Sequence, residues 1–116
     1  MPIKDRNFIK ILFFIFLILY NHNVIADEFN ISAKEVEIDK SNNILVGKGS
    51  VKISDSIGRI INAENVKYEK SKEFLLVEGS VEIFDIEGNV LVTEKATYDK
   101  INELITTFDA TEIKLN

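Results

Sequence analysis

Carboxylates recur along this chain at a fixed interval. Asp39, Glu69 and Asp99 stand thirty residues apart, Asp55 and Asp85 repeat that interval, and Lys40, Lys70 and Lys100 follow the first set. Clustered acids can hold calcium or share acid–base work. None of these stretches has the ligand spacing of an EF-hand loop or of a Gly-rich calcium repeat. Each acid instead opens a short polar connector, the place where Asp caps a turn. Turn capping is therefore the reading of the acids. The lysines read as solvated turn residues, with contact to phosphates as the alternative.

Other reactive side chains are scarce. The chain has one His, His22, and no Cys or Trp. Lys4, Arg6 and Lys10 precede the apolar run 11–20, and Val24-Ile25-Ala26 leads into Asp27. A basic start, a short apolar core and small residues before the junction describe a secretory signal peptide over 1–26. A retained anchor is the rival reading, but its run is short against the roughly 20 residues that span a bilayer. With no Cys after the run, a lipoprotein anchor is excluded.

Cleavage after Ala26 would leave residues 27–116, one small domain without His or Cys. His-based acid–base catalysis, Ser–His and Cys–His pairs and N/S-ligand zinc sites then have no residues to build them. No enzyme, catalytic residue, cofactor or metal is expected; a carboxylate-only hydrolase has the least support. The leader carries a net +2, so the chain's −5 becomes −7 without it, too acidic for a nucleic-acid binder. With no disulfide to staple it, the domain depends on backbone pairing, core packing or partners.

The thirty-residue interval belongs to the whole sequence. Residues 31–60 aligned on 61–90 match at Ile31, Ala33, Val36, Lys40, Ser41 and Leu45. They match again at Gly49, Ser50, Val51, Ile53, Asp55 and Gly58, giving twelve identities in thirty positions. A weaker third copy keeps Tyr98, Lys100, Ile105 and Ile113 in register. Such a period means one supersecondary unit stacked on copies of itself.

Within each unit, Leu45, Gly47, Gly49, Val51 and Ile53 alternate with mostly polar residues, as do Leu75, Val77, Gly79, Val81 and Ile83. Period-two alternation predicts strands with one buried face. Shorter strands are predicted at Val36–Ile38, Val66–Tyr68 and Ala96–Tyr98. Gly49 and Gly79 predict bends partway along the long strands. The fold class is thus all-β: a flattened jelly roll or slab of two facing antiparallel sheets, built from about three β repeats and ending in open edge strands. Its interior columns are expected to be Val36/Val66/Ala96, Ile38/Tyr68/Tyr98, Leu45/Leu75/Ile105, Val51/Val81 and Ile53/Ile83/Ile113.

Two tandem copies of the pattern from Ile31-Ser32-Ala33 to Gly49-Ser50-Val51-Lys52-Ile53, and from Ile61-Asn62-Ala63 to Gly79-Ser80-Val81-Glu82-Ile83, behind a signal peptide, resemble a known family. It is the OstA-like (LptA-type) domain of the lipopolysaccharide transport system, and the resemblance covers residues 29–116. It implies a periplasmic β-jelly roll that holds lipopolysaccharide acyl chains between its sheets. It also implies end-to-end docking with other transport components, or with itself, through edge strands. Both the stand-alone bridge protein and the N-terminal domain of the outer-membrane assembly protein fit, the second allowing association with the outer membrane. The resemblance makes Val36, Ile38, Leu45, Val51, Ile53, Val66, Tyr68, Leu75, Val81 and Ile83 the candidate lipid-contacting residues. The residue types alone equally describe a structural or adhesive exported β repeat with a dry core and no ligand.

Overall fold

The computed structural model describes residues 29–116; the signal peptide expected over 1–26 lies outside them. Eight strands follow in order: β1 (Asn30–Ser32), β2 (Glu35–Asp39), β3 (Ile44–Ser54), β4 (Ile60–Glu69), β5 (Phe74–Phe84), β6 (Val90–Asp99), β7 (Leu104–Thr107) and β8 (Glu112–Lys114). All pairings are antiparallel, in the order β1-β3-β4-β5-β6-β7. β2 pairs with the first half of β3, and β8 with the first half of β6. The all-β antiparallel fold matches the expectation from the alternation.

The two layers are halves of one hydrogen-bonded sheet, folded along a crease. On β3, Gly49 (φ 81°) and Ser50 (φ 46°) oppose the single residue Glu64 of β4; on β5, Gly79 (φ 86°) and Ser80 (φ 46°) oppose Glu94 of β6. Two successive left-handed residues form a bulge that turns the strand. At Gly79 a side chain is excluded as well, since a Cβ would lie 2.8 Å from the Cβ of Glu64. The third crease site lacks this pair. There Thr93 and Thr111 replace the repeat's Ala and Val, and Thr93 Oγ1 donates to the Ala110 carbonyl at 3.2 Å.

The paired strands are longer than the sequence reading allowed. The segments Val66–Tyr68 and Ala96–Tyr98 are the ends of the ten-residue strands β4 and β6. Asn62, Glu64 and Asn65 interrupt the alternation at the crease, which hides β4's continuity. Only the outermost strands are broken there, β1 from β2 and β7 from β8. A strand with a neighbour on one side alone has fewer hydrogen bonds to carry it across a bulge.

Register gathers the apolar residues into ladders that cross the strands. One runs Ile38–Leu45–Tyr68–Leu75–Tyr98–Ile105 in the first layer; another runs Ile31–Ile53–Ile61–Ile83–Leu91–Ile113 in the second. The two face one another, and all their members except Ile38, Leu45 and Ile113 form the core with Val51, Ala63, Val66, Val77, Val81 and Ala96. Burial of this apolar area is the main favourable term holding the layers together. The expected interior columns need correction at their ends: Val36, Ile38 and Ile113 are 46%, 65% and 62% exposed. They are in register with the core but lie on edge strands that no further strand covers.

The connectors repeat as the strands do. Asn43, Glu73 and Glu103 all adopt left-handed conformations (φ 54°, 46° and 50°). Each turn is tied to the next, Lys70 N donating to the Asn43 carbonyl (2.9 Å) and Lys100 N to the Glu73 carbonyl (3.1 Å). Asp39, Asp55, Asp85 and Asp99 cap their turns as expected, accepting from main-chain N–H groups two to four residues ahead. Glu69 does not; it faces Lys72 at 3.4 Å in a partly exposed ion pair.

Candidate functional site

Opposite the crease lie the free margins of the two layers. The first layer's margin carries the turns that follow Asp39, Glu69 and Asp99; the second carries those that follow Asp55 and Asp85. At the N-terminal corner the margins part into an open cleft of about 620 Å³. Its walls are Phe29, Ile31, Ile38, Leu45 and Tyr68, and Asp39, Lys40 and Lys70 stand at its mouth. The first layer contributes Leu45 and Tyr68 because Leu45 pairs with both Ile38 and Tyr68. The second contributes Ile31 through its pairing with Ile53.

Further along the margin, contacts between the layers close it. Phe29 meets Tyr68 and Tyr98 edge-on, with ring centroids 5.5 and 5.9 Å away. The Arg59 guanidinium carbon lies 5.2 Å from the Tyr98 ring centroid, and Lys100 Nζ lies 5.0 Å from that of Phe29. Asp55 holds Arg59 in place, accepting from its Nε at 2.8 Å and from its main-chain N–H at 2.9 Å. Behind these rings sits a small, partly open cavity of about 10 Å³, bounded by Phe29, Ile53, Asp55, Arg59, Ile61, Ile83 and Tyr98. Tyr98 is 3% exposed, and its hydroxyl finds no hydrogen-bond partner among the described residues.

The electrostatics follow from these contacts. Burial raises the Asp55 carboxyl, but the main-chain N–H and guanidinium of Arg59 outweigh it and hold the group below its ordinary value. The Asn42 side chain holds Asp39 down, Asn89 does so for Asp85, and Asn102 for Asp99. Burial pushes the Tyr98 phenol up, and the Arg59 cation only partly offsets it. Among the described residues no group of three or more Asp, Glu, His or Cys could hold a metal ion.

The residues expected to line a ligand space divide into three sets. Ile38, Leu45 and Tyr68 meet in the cleft. Val51, Ile53, Val66, Leu75, Val81 and Ile83 are buried core, with Ile53 and Ile83 also bounding the small void. Val36 lies exposed on the edge strand β2. Gly49 and Gly79 occupy the crease. Sequence reasoning missed Phe29 and Arg59 as parts of the margin, whereas it reads Lys40 and Lys70 as connector residues with phosphate contact as the alternative. Phe29 and Arg59 are thirty residues apart, with Asn89 next in series, so a repeat position whose residue type changes at every copy was the available signal.

No protein-family model matches the chain, and no curated protein matches it. Among solved structures it is similar to the crystal structure of LptH, the LptA-homologous periplasmic component of the lipopolysaccharide transport device of Pseudomonas aeruginosa. Identity is 12% and the TM-score 0.49, over 78% of this chain and 96% of that one.

Proposed function

We propose that this chain is a non-enzymatic, exported module of lipopolysaccharide transport or assembly. It holds acyl chains between its layers and docks end to end with other transport components, or with itself, through its edge strands. The observation that carries this reading is the cleft: an apolar slot between two β layers, open at one corner, with lysines at its mouth. Such a slot takes aliphatic chains without directional contacts, while Lys40 and Lys70 face an anionic head group outside it. The net −7 of residues 27–116 opposes an anionic lipid at long range, so acyl burial, at roughly 0.8 kcal/mol per CH₂, must drive binding. The repeat pattern and the leader support the periplasm as the place of action, either as a bridge or as part of the outer-membrane assembly machinery.

A photo-crosslinking residue at Ile38 or Leu45 should capture labelled lipopolysaccharide, and one at Ile53 tests how deep the lipid enters. Folded protein that crosslinks at none of the three positions removes the lipid reading. One observation favours the structural, ligand-free alternative over most of the slab: Val51, Leu75 and Val81 are almost wholly buried in the core. Under that alternative no position crosslinks.

A further inference from the structure

We propose that Phe29 is a movable partition that sets how long an aliphatic chain this cleft accepts; the inference rests on the lipid-cleft reading above. Phe29 is the one residue shared by the walls of the open cleft and of the small cavity behind it. On the cleft side its ring meets Tyr68, and on the void side Tyr98. Beyond it lie Ile53, Ile61 and Ile83, an apolar floor that continues the cleft's own wall, because Ile31 pairs with Ile53 and Ile53 with Ile61. Turning one side chain therefore joins the two spaces along a single ladder of isoleucines.

The ring is placed to turn. Phe29 directly precedes β1, whose register begins at Asn30 opposite Ser54, so it moves without breaking a strand pair. Its ring contacts are edge-on and non-covalent, and Lys100 covers its outer face. Arg59, tied to Asp55, closes the far side, so a chain passing Phe29 stays between the layers.

The test uses the protein in the form that accumulates in the cell, with octanoate, dodecanoate and hexadecanoate as probes and calorimetry as readout. Each methylene that leaves water is worth about fourfold in affinity, so chain length reports depth. In Phe29→Ala the hexadecanoate-to-octanoate affinity ratio should rise about tenfold or more over the unaltered chain. Phe29→Leu, a smaller and more pliable side chain, should give an intermediate rise, and it carries the test if Phe29→Ala loses its β-sheet signal. If the chain binds the probes but the ratio in folded variants stays within about twofold, the partition is overturned while the lipid cleft stands. If the unaltered chain binds none of the three, both fall.

Discussion

Arg59 and Tyr98 belong to opposite layers of the folded sheet, and the Arg59 guanidinium lies over the Tyr98 ring, 5.2 Å from its centroid. Asp55, whose side chain is only 4% exposed, fixes that guanidinium at 2.8 Å. Arg59→Ala should lower unfolding free energy by about 1–3 kcal/mol, since it removes the side-chain donor to Oδ2 of a nearly buried carboxylate. Arg59→Asn copies the Asp85–Asn89 solution of the next repeat, so it should restore the Asp55 bonds and lose only the ring contact, about 0.5–1 kcal/mol. Urea unfolding of the two variants separates the terms; equal losses would show that Arg59 does not join the layers.

Tyr98→Phe removes the hydroxyl that is buried without a partner. A substitution at a core residue usually destabilises, but here we expect a small gain of no more than about 1 kcal/mol, because the hydroxyl makes no short hydrogen bond and the Arg59 cation offsets its burial only in part. A higher urea midpoint with an unchanged slope is the expected result. A loss of stability would mean that the hydroxyl is bonded in solution.

The crease glycines should respond unequally to alanine. Gly79 has φ 86° and faces Glu64 Cβ at 2.8 Å in the middle of the sheet, whereas Gly49 has φ 81° and faces Lys34 Cβ at 3.2 Å beside the broken edge. Gly79→Ala should cost at least about 1–3 kcal/mol, and Gly49→Ala less, because Lys34 can yield. Thermal or urea melts of both variants read the difference, and a larger loss at Gly49 would contradict this account of the crease.

Acid should loosen the turns. Asp39, Asp55, Asp85 and Asp99 all have folded-state values below the ordinary one. Their contribution is complete above the unfolded carboxyl value, near about 4, and is lost as pH falls through the lower folded values. Stability should therefore be flat with respect to these groups at neutral pH and decline below about pH 4. Asp55→Asn should reduce the acid-dependent part most, since Asp55 is the most buried of the four; an unaltered acid limb would refute this.

Edge docking predicts association that rises with concentration. Ile113→Pro in β8 removes a main-chain donor at the C-terminal edge and should weaken that association. Sedimentation of the two forms decides the point. Association that ignores the proline would count against strand addition at this edge.

The fold was legible because it is periodic. Alternation placed Leu45, Val51 and Ile53 on one face, their copies thirty residues later on the same face, and Gly49 and Gly79 at the bends. The contacts that shape the cleft obey no period. Phe29 and Arg59 occupy the same place in successive repeats yet reach the same tyrosine by different chemistry, one by ring edge and one by cation. Exposure at Val36 and Ile38 was equally hidden, because a repeat pattern cannot tell an inner strand from an outer one. Which columns are core and which are rim depends on how many neighbours each strand has.

The turn-to-turn bonds, Lys70 N to the Asn43 carbonyl and Lys100 N to the Glu73 carbonyl, recur with the period of the sequence and involve adjacent units only. Duplicating thirty residues in the middle of such a chain would create no new kind of contact and disturb none already made. The slab is thus a ruler that gene duplication can lengthen by one graduation at a time, and the distance it spans is free to evolve separately from the chemistry at its mouth.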